Sequence, residues 1–501
     1  MAECCLKILA QNGVADKITV IPKRSTEIKV GESGDMKEKA NILVTEVFDT
    51  ELIGEGALST FSHAHKYLLE EDCIVVPDSA VIYAQVVECD TLQRWNKIND
   101  FAVPKLDLTL KTPQKMKDCP GSAAVHDLQL SQLPRSSFRE LSDQIPVFYY
   151  DWSGKLPLDF NKTVKQAFTA SANGKAQMVF MWWELNMDTE ERPQDSIPWR
   201  DHWMQAVYYL PQELDLVKDT EATLVSCQDE YSLWFYLENG DTKKHYKRPI
   251  CECGMHMALS RTHVSYLNDS SRRLKFANKL KQELTTNSIV LDINGSFLLG
   301  LFAAKMAKTV YIVENTKLNL QIIEDYIKEN SIDNVQIIPE VNDDVLKEVT
   351  NVICDPNFTS AILPWENHKI AYLLYKHKSS LREGLSIVPE GFEFWAMPVE
   401  LLNLQKIRVP LEKCEGINMS VFDDLVESSR IISDAEVEAQ PLWEYPENPS
   451  ESKEPHEPVN GFALWAVWKV GEDQSTGPIR PPTVGDWVEW DPHTRQAVKI
   501  L

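Results

Sequence analysis

The amino-acid sequence predicts an α/β plus β protein of two tandem modules, each an α/β half followed by an antiparallel β-barrel half. Three observations support this prediction. The chain matches itself at a long offset, helix and strand patterns alternate at the start of each copy, and short strand-like runs broken by Pro and Gly follow. Repeats of roughly 20 to 50 residues would indicate a solenoid, whereas this much longer period indicates tandem domains.

The self-match is clearest where each copy ends. Residues 199–208 read WRDHWMQAVY and residues 490–499 read WDPHTRQAVK, which aligns His, Gln, Ala and Val. Two earlier matches are Val76-Pro77 with Val388-Pro389 and Ile21-Pro22 with Ile338-Pro339. The offset shrinks along the chain, as expected for two copies of one module that have gained and lost loops.

The first copy begins inside its α/β half. Ala2–Asn12 has the pattern of an amphipathic helix, and Lys17–Pro22 and Ala40–Val47 have that of strands. Residues 288–316 of the second copy predict a strand, a turn, a helix and a second strand, whose counterparts would lie before Met1. We therefore expect the first α/β half to be incomplete, as in a truncated isoform or an incomplete gene model.

The same patterns place the domain boundaries. Residues 1–60 form the partial α/β half of the first module, and residues 61–245 form its β half. A linker at 246–271 precedes a degenerate α/β half at 272–383 and the second β half at 384–501.

Composition excludes several classes of function. The net charge of −24 and the pI near 4.9 argue against direct binding to nucleic acid. An acidic surface attracts Arg-rich ligands, although on charge alone solubility is the better explanation of the acidity. The sequence has no apolar run of membrane-spanning length. Its ten mostly scattered cysteines indicate a reducing compartment.

The most informative segment is an acidic loop, TEVFDTELIGEG at residues 45–56. It follows the apolar run NILV, at the strand end where open α/β sheets place their ligands. Its four carboxylates belong to Glu46, Asp49, Glu51 and Glu55. Such crowding is unfavourable unless a cation lies between the acids, yet composition alone fits a solvated loop equally well. The second copy retains Asp355 but has Pro364 nine positions later, so only one copy keeps the paired acids.

These features resemble the protein arginine N-methyltransferases. Glu46 and Glu55 match the double-glutamate loop of that family. Four segments are similar to its tandem-module, monomethylating (type III) branch, with insect versions nearest: KRSTEIKVG, TELIGEGAL, HDLQLSQLP and PWRDHWMQA. The resemblance covers nearly the whole chain. It implies that each module joins a Rossmann-like S-adenosylmethionine methyltransferase half to a β-barrel half.

The resemblance also implies a reaction. The product would be ω-N-monomethylarginine, with symmetric dimethylarginine left open, on basic proteins such as histones and Sm proteins in the cytoplasm and nucleus. Glu46 and Glu55 would hold the substrate guanidinium through charge-assisted hydrogen bonds. His202, Asp201 and Trp203 would line the arginine pocket, although without the resemblance a packed residue of the β half is the better explanation of His202.

The resemblance assigns the cofactor pocket to the first module, but its glycine-rich turn and ribose-binding acid would lie before Met1, so we expect most of that pocket to be absent. By resemblance, Glu27 would accept a hydrogen bond from the adenine amino group, with Ser25 beside it. The second module offers only Gly295 in its turn and Glu314 after its second strand, so we expect no cofactor there. The resemblance implies that the second module packs on the first as the other subunit of a family dimer does, giving a monomer with an internal pseudo-dimer.

Cys251, Cys253 and His256 predict a zinc half-site in the linker. Cys227 is the expected fourth ligand, with His245 and His263 as alternatives. The resembled family carries a structural zinc at this junction. Unmetallated surface residues are the alternative.

Two other functions stay open. The chain could be a catalytically inactive binding or scaffold fragment, because loss of a central strand exposes apolar edges and unpaired backbone groups. It could also be a small-molecule methyltransferase, which would leave Glu46 and Glu55 unexplained.

Overall fold

The computed structural model describes residues 1–122, 124–187, 203–238, 246–293, 298–355, 369–401, 403–404, 409–433, 437–445, 459–483 and 488–501. These residues form two compact units. Unit 1 contains Met1–Cys89, Ala124–Arg248 and Lys406–Asp434, and unit 2 contains Asp90–Ala123, Pro249–Gln405 and Ala435–Leu501. Residues 90–123 belong to unit 2 although the residues on both sides of them belong to unit 1, and residues 406–434 belong to unit 1 although their neighbours belong to unit 2. We call these two the exchanged segments. The predicted domain boundaries, which are contiguous, do not include this exchange.

Helices and strands are numbered in chain order. The helices are α1 (Ala2–Gln11), α2 (Ala57–Tyr67), α3 (Asp90–Gln93), α4 (Gln114–Lys117), α5 (Met255–Ala258), α6 (Arg261–Leu267), α7 (Ser270–Glu283), α8 (Leu298–Ala304), α9 (Lys317–Glu329), α10 (Asp343–Glu348), α11 (Lys369–Lys376) and α12 (Ser420–Ser433). The described part of the chain contains no helix that is both long and apolar enough to cross a membrane.

The first thirteen strands are β1 (Ala40–Val44), β2 (Leu69–Val76), β3 (Ser79–Glu88), β4 (Phe101–Val103), β5 (Leu108–Leu110), β6 (His126–Leu128), β7 (Arg139–Glu140), β8 (Ile145–Asp151), β9 (Lys162–Thr169), β10 (Gly174–Asn186), β11 (Gln205–Leu216), β12 (Glu221–Gln228) and β13 (Leu233–Glu238). The others are β14 (Ile289–Asp292), β15 (Thr309–Val313), β16 (Val335–Ile338), β17 (Asn351–Ile353), β18 (Ser386–Val388), β19 (Phe392–Val399), β20 (Lys413–Cys414), β21 (Ile417–Asn418), β22 (Glu438–Gln440), β23 (Gly461–Trp468), β24 (Gln474–Ser475) and β25 (Gln496–Ile500).

Unit 1 joins a short parallel sheet to two antiparallel sheets. β1 and β2 pair in parallel, with Val44 opposite Val76, and α2 connects them. One antiparallel sheet has the order β6-β11-β10-β3-β7, with β8 also on β3, and the other has the order β13-β12-β9. The described strands of unit 1 thus form separate antiparallel sheets and do not close into a single barrel.

Two predicted elements at the start of the chain have different outcomes. The predicted helix Ala2–Asn12 is confirmed as α1. The prediction of a strand at Lys17–Pro22 is wrong, because these residues are irregular. The matching Ile338 lies in β16, which pairs with β15 in unit 2. The described part of unit 1 pairs no strand with residues 17–22, and an extended segment without a partner gains no ladder hydrogen bonds.

Unit 2 contains a five-stranded parallel sheet and an antiparallel sheet. The parallel order is β16-β15-β14-β17-β18, and the central strands β14 and β17 are almost wholly buried, as expected where helices cover both faces. The antiparallel sheet has the order β19-β23-β25-β22, with β24 on β23. This order repeats β3-β10-β11-β6 of unit 1, and the matched Gln205 and Gln496 each begin the third strand of the series.

The exchanged segments are held in the same way in both units. Each contains a small hairpin, β4–β5 in unit 2 and β20–β21 in unit 1. In unit 1, the Asn12 side chain after α1 accepts from the backbone N–H of Asn418 at 2.8 Å and donates to its carbonyl at 3.0 Å. In unit 2, Asn330 after α9 accepts from Lys111 N–H at 2.8 Å and donates to its carbonyl at 2.9 Å.

Candidate functional site

The acidic loop borders a cavity in unit 1. The cavity has a volume of about 610 Å³ and lies at the carboxyl ends of β1 and β2, where Val44, Thr45, Val76 and Pro77 line it. Four aromatic side chains and two acids also line it: Phe48, Trp182, Trp183, Trp203, Glu46 and Glu184. Carboxylates beside the faces of aromatic rings suit a planar cation such as guanidinium.

Aromatic packing fixes the loop to the body of unit 1. The Phe48 ring lies 6.2 Å from Phe61 of α2 and 5.9 Å from Trp152, between ring centroids. The indole N–H of Trp183 donates to the Asp49 carbonyl at 3.0 Å, and the Trp183 ring lies 4.9 Å from the ring of Trp203. The wall of the cavity and the loop that carries Glu46 are therefore tied together.

The structure separates the four loop acids into two kinds. Glu51 is buried and accepts from the Tyr208 hydroxyl at 2.6 Å and from Leu233 N–H at 3.0 Å. Asp49 accepts from Gly54 N–H at 2.9 Å. Burial raises the pKa of both carboxyl groups, against the opposing effect of these hydrogen bonds. Asp49 and Glu51 thus shape the loop from inside.

Glu46 and Glu55 are the exposed acids of the loop. Glu46 accepts from Phe48 N–H at 3.3 Å and lines the cavity, whereas Glu55 lies just before α2. Gly54 lets the Asp49 carboxylate approach the loop backbone closely, since a Cβ there would lie 2.1 Å from a carboxylate oxygen.

The other predicted site residues are placed as follows. Trp203 lines the cavity, whereas His202 and Asp201 lie outside the described residues. Ser25 and Glu27 form an exposed 3₁₀ turn, and the following Ile28 packs against the end of α2. The structure thus places Glu46 and Trp203 at one cavity.

In the second module, Glu314 and Asp292 form hydrogen bonds to neighbouring residues of unit 2. Gly295 lies outside the described residues. The Glu314 carboxylate accepts from the backbone N–H groups of Asn315 and Thr316 and from the Asn319 side chain, at 2.7 to 2.8 Å. Asp292, at the end of β14, is fully buried and accepts from Gly300 N–H at 3.0 Å.

A second group of chemical interest lies in unit 2. The potential ligand atoms of Cys119, Cys251, Cys253 and His256 all lie within 4.8 Å of one another. The Cys251 and Cys253 sulfurs are 3.5 Å apart, and His256 Nδ1 lies 3.8 Å and 3.4 Å from them. Tetrahedral zinc with bonds of about 2.3 Å to sulfur and 2.0–2.1 Å to nitrogen requires edges of about 3.6–3.8 Å. The donor set and its spacing therefore fit zinc.

The surroundings of this group favour a metal ligand set as well. His256 Nε2 lies 2.7 Å from the Asn96 carbonyl, which directs its proton there and leaves Nδ1 free to coordinate. A hydrogen bond from the Cys253 thiol, assisted by His256, lowers the pKa of Cys119 despite burial. The same hydrogen bond, together with burial, raises the pKa of Cys253.

Sequence reasoning missed Cys119 and named Cys227 in its place. Cys227 lies in β12 of unit 1, where its sulfur accepts from the Thr163 hydroxyl at 3.7 Å, and the structure does not bring it to the group. His263 is buried in α6 and is not in the group either, and His245 lies outside the described residues. No local spacing signal marks Cys119, which reaches the group only through the exchanged segment.

Comparison with known proteins identifies the class. The family model for the "arginine methyltransferase oligomerization subdomain" matches residues 78–238. Together with the mixed α/β fold, this match indicates the class of the arginine methyltransferases. Enzymes of this class are transferases.

The particular family follows from two relatives named protein arginine N-methyltransferase 7. The Aedes aegypti protein is 38% identical over 577 aligned residues, covering 100% of this chain and 83% of the relative. The Drosophila melanogaster protein is also 38% identical, covering 99% and 81%. The chain therefore belongs to the protein arginine N-methyltransferase 7 family. A solved Trypanosoma brucei PRMT1 enzyme-prozyme heterotetrameric complex with AdoHcy aligns at 19% identity and a TM-score of 0.34, covering 49% of this chain and 76% of that one.

Proposed function

We propose that the chain transfers a methyl group from S-adenosylmethionine to arginine side chains of basic proteins, forming ω-N-monomethylarginine. The observation that carries this proposal is the position of Glu46, in an aromatic-lined cavity at the carboxyl ends of parallel strands. Histones and Sm proteins are the substrates we propose from the family resemblance, and a net charge of −24 is compatible with Arg-rich partners.

The loop acids prepare the substrate nitrogen. A protonated guanidinium is a poor nucleophile because its electrons are delocalised over the whole group. Glu46 and Glu55 accept hydrogen bonds from it, which orients one terminal nitrogen and increases its electron density. The rings of Trp183 and Trp203, which contact each other in the cavity wall, give the planar group an aromatic surface beside Glu46. The proton released on transfer passes to a loop glutamate.

The cofactor position in unit 1 fits the same arrangement. S-Adenosylmethionine supplies an electrophilic methyl group when bound. Ligands of parallel α/β sheets lie at the carboxyl ends of the strands, which is where β1 and β2 meet the cavity. Ser25 and Glu27, on an exposed turn, would hold the adenosine end.

The proposal is tested by transfer of labelled methyl groups from S-adenosylmethionine to an Arg-rich histone peptide. A peptide with lysine at every arginine position is the control, because it keeps the charge and lacks the guanidinium. We expect label in the arginine peptide alone, and monomethylarginine after hydrolysis. Label in the lysine peptide, or dimethylarginine as the main early product, would contradict the proposal.

Exposed apolar side chains favour a second candidate function, a binding or scaffold fragment. Ile42, Val44 and Ile74 on β1 and β2 are 53%, 73% and 61% exposed. Apolar strands of this kind mark interaction surfaces. A folded chain that binds the arginine peptide without transferring a methyl group would support this second function.

We also propose that the two modules act as an internal pseudo-dimer in a monomeric chain. The Asn12 and Asn330 side chains bind equivalent hairpins within their own units, and this likeness of the two units supports the proposal. None of the ten cysteines, all within the described residues, is part of a disulfide, which fits the proposed location in cytoplasm and nucleus.

The pseudo-dimer predicts a sedimentation mass of one chain, 57.2 kDa, that does not change with concentration. Asn330→Ala removes both bonds to Lys111 and should speed protease cleavage within residues 90–122. Asn334→Ala is the matched control, because it removes two bonds to the Ala304 and Ala307 carbonyls and none to the hairpin. A dimer mass, or equal cleavage of the two variants, would count against the arrangement.

We further propose that Cys119, Cys251, Cys253 and His256 hold a structural zinc ion. Four protein ligands leave no open position, so the ion would stabilise unit 2 rather than act on substrate.

A further inference from the structure

Asp355 occupies the position in unit 2 that Glu46 occupies in unit 1. Val44 ends β1 opposite Val76 of the parallel neighbour β2, and Ile353 ends β17 opposite Val388 of the parallel neighbour β18. Each acid lies two residues beyond the last residue of its strand. The two carboxylates are therefore equivalent in the fold.

A guanidinium from within the chain already binds Asp355. Arg272, in the first turn of α7, forms an ion pair with it, and the two side chains are only 6% and 5% exposed. Arg272 Nη1 donates to one carboxylate oxygen at 3.1 Å, and the Tyr266 hydroxyl donates to the other at 2.9 Å. The contact joins a carboxylate to a planar cation, as proposed between Glu46 and a substrate arginine.

Aromatic rings complete the resemblance to an arginine site. The Arg272 guanidinium carbon lies 3.5 Å from the centre of the Tyr266 ring and 4.6 Å from that of Phe276. The cavity around these residues is only about 20 Å³, against about 610 Å³ beside Glu46. Burial lowers the pKa of Arg272 to about 10, which leaves it charged at neutral pH. The described residues leave no room for a second guanidinium.

We propose that Arg272 fills, from within the chain, the second module's counterpart of the acceptor-arginine site and closes it to external arginine. The inference rests on the proposed function in one respect, the reading of Glu46 as an acceptor-site residue. It assigns a guanidinium-binding site to Asp355, Tyr266 and Phe276. It also explains why this carboxylate persists when its partner nine residues later is proline, because the remaining acid neutralises a buried arginine.

The test is chemical rescue of thermal stability in the full chain. Arg272→Ala leaves the buried Asp355 carboxylate without its guanidinium counter-charge, which should lower Tm by roughly 10 °C. Guanidinium chloride at low millimolar concentration, compared with equal sodium chloride, should raise the Tm of this variant by several degrees. Guanidinium chloride should leave the Tm of the wild type unchanged, because Arg272 already fills the site. It should also leave the Tm of Arg272→Ala/Asp355→Asn unchanged, because that site has lost its negative charge. Equal responses in all three proteins would overturn the proposal.

If Arg272→Ala does not fold, a second variant still tests the proposal. Asp355→Asn keeps the shape of the side chain and leaves Arg272 without its counter-charge. We expect a lower Tm for this variant and recovery of most of the loss in Arg272→Met/Asp355→Asn, whereas additive losses would show that the two side chains are not coupled. Neither readout needs methyl transfer, so failure of the proposed activity at Glu46 is detected separately.

Discussion

Glu46→Gln is expected to lower the rate of methyl transfer to an Arg-rich peptide by about 10²–10³-fold, the usual cost of removing one preorganised electrostatic contact. The amide keeps the size of the side chain but loses the charge that holds and polarises the guanidinium. Peptide affinity should fall as well, because Glu46 lines the cavity. Initial rates and peptide binding measured on the same preparation would separate the two effects.

The sharpest control comes from the same loop. Glu51→Gln presents an amide oxygen that can accept from Tyr208 and Leu233, as the carboxylate does. Since burial raises the pKa of Glu51, a neutral side chain suits this position, and the rate should stay within a few fold of the wild type. Glu55→Gln should behave like Glu46→Gln. If Glu51→Gln were the more damaging change, our division of the loop acids would be wrong.

The sequence identified the loop but could not sort its acids. Four carboxylates within ten residues indicate a site, and the second copy marks the first and last as a pair. The partners of Glu51 are Tyr208 and Leu233, more than 150 residues along the chain, and the Asp49 backbone carbonyl accepts from Trp183 at a similar remove. Such partners have no local signature, so the supporting roles of Asp49 and Glu51 became visible only in the fold.

The same limit applies to the fold. Apolar runs predicted strands β1, β14 and β15, because period and composition are local properties. The prediction of a strand at Lys17–Pro22 was wrong because a strand also requires a neighbouring strand to which it can hydrogen-bond. The exchange of hairpin segments between the units depends on contacts such as Asn12 with Asn418, more than 400 residues apart. The order of elements along the chain does not contain that information.

Cysteine spacing met a similar limit. Cys251, Cys253 and His256 lie within six residues, so their shared chemistry can be read from the sequence. The fourth member is 132 residues before Cys251, beyond the reach of any spacing rule. Cys227 is nearer along the chain and was therefore the predicted fourth ligand, but it lies in a strand of unit 1.

Cys119→Ser is therefore expected to abolish stoichiometric zinc binding by the purified chain and to destabilise unit 2. Structural zinc contributes roughly 10–16 kcal/mol of binding free energy in small zinc-dependent peptides, so losing one of four ligands should cost several kcal/mol of unfolding free energy. The group lies against the unit 2 core, since Cys119, Cys253 and Met255 pack in the same buried cluster. Metal content by mass spectrometry and Tm before and after chelation measure both effects.

Cys227→Ser is the matched control, because it removes a buried thiol that lies in unit 1 and outside the group. It should retain one zinc per chain and respond to chelator as the wild type does, whatever it loses in packing. The reverse result, zinc lost from Cys227→Ser and kept by Cys119→Ser, would restore the ligand set expected from the sequence. Absence of zinc from the wild type would leave the three thiols and His256 as a hydrogen-bonded polar cluster, and chelation would then leave Tm unchanged. Because metal content and Tm are measured without substrate, the outcome does not depend on whether Glu46 and Glu55 catalyse transfer.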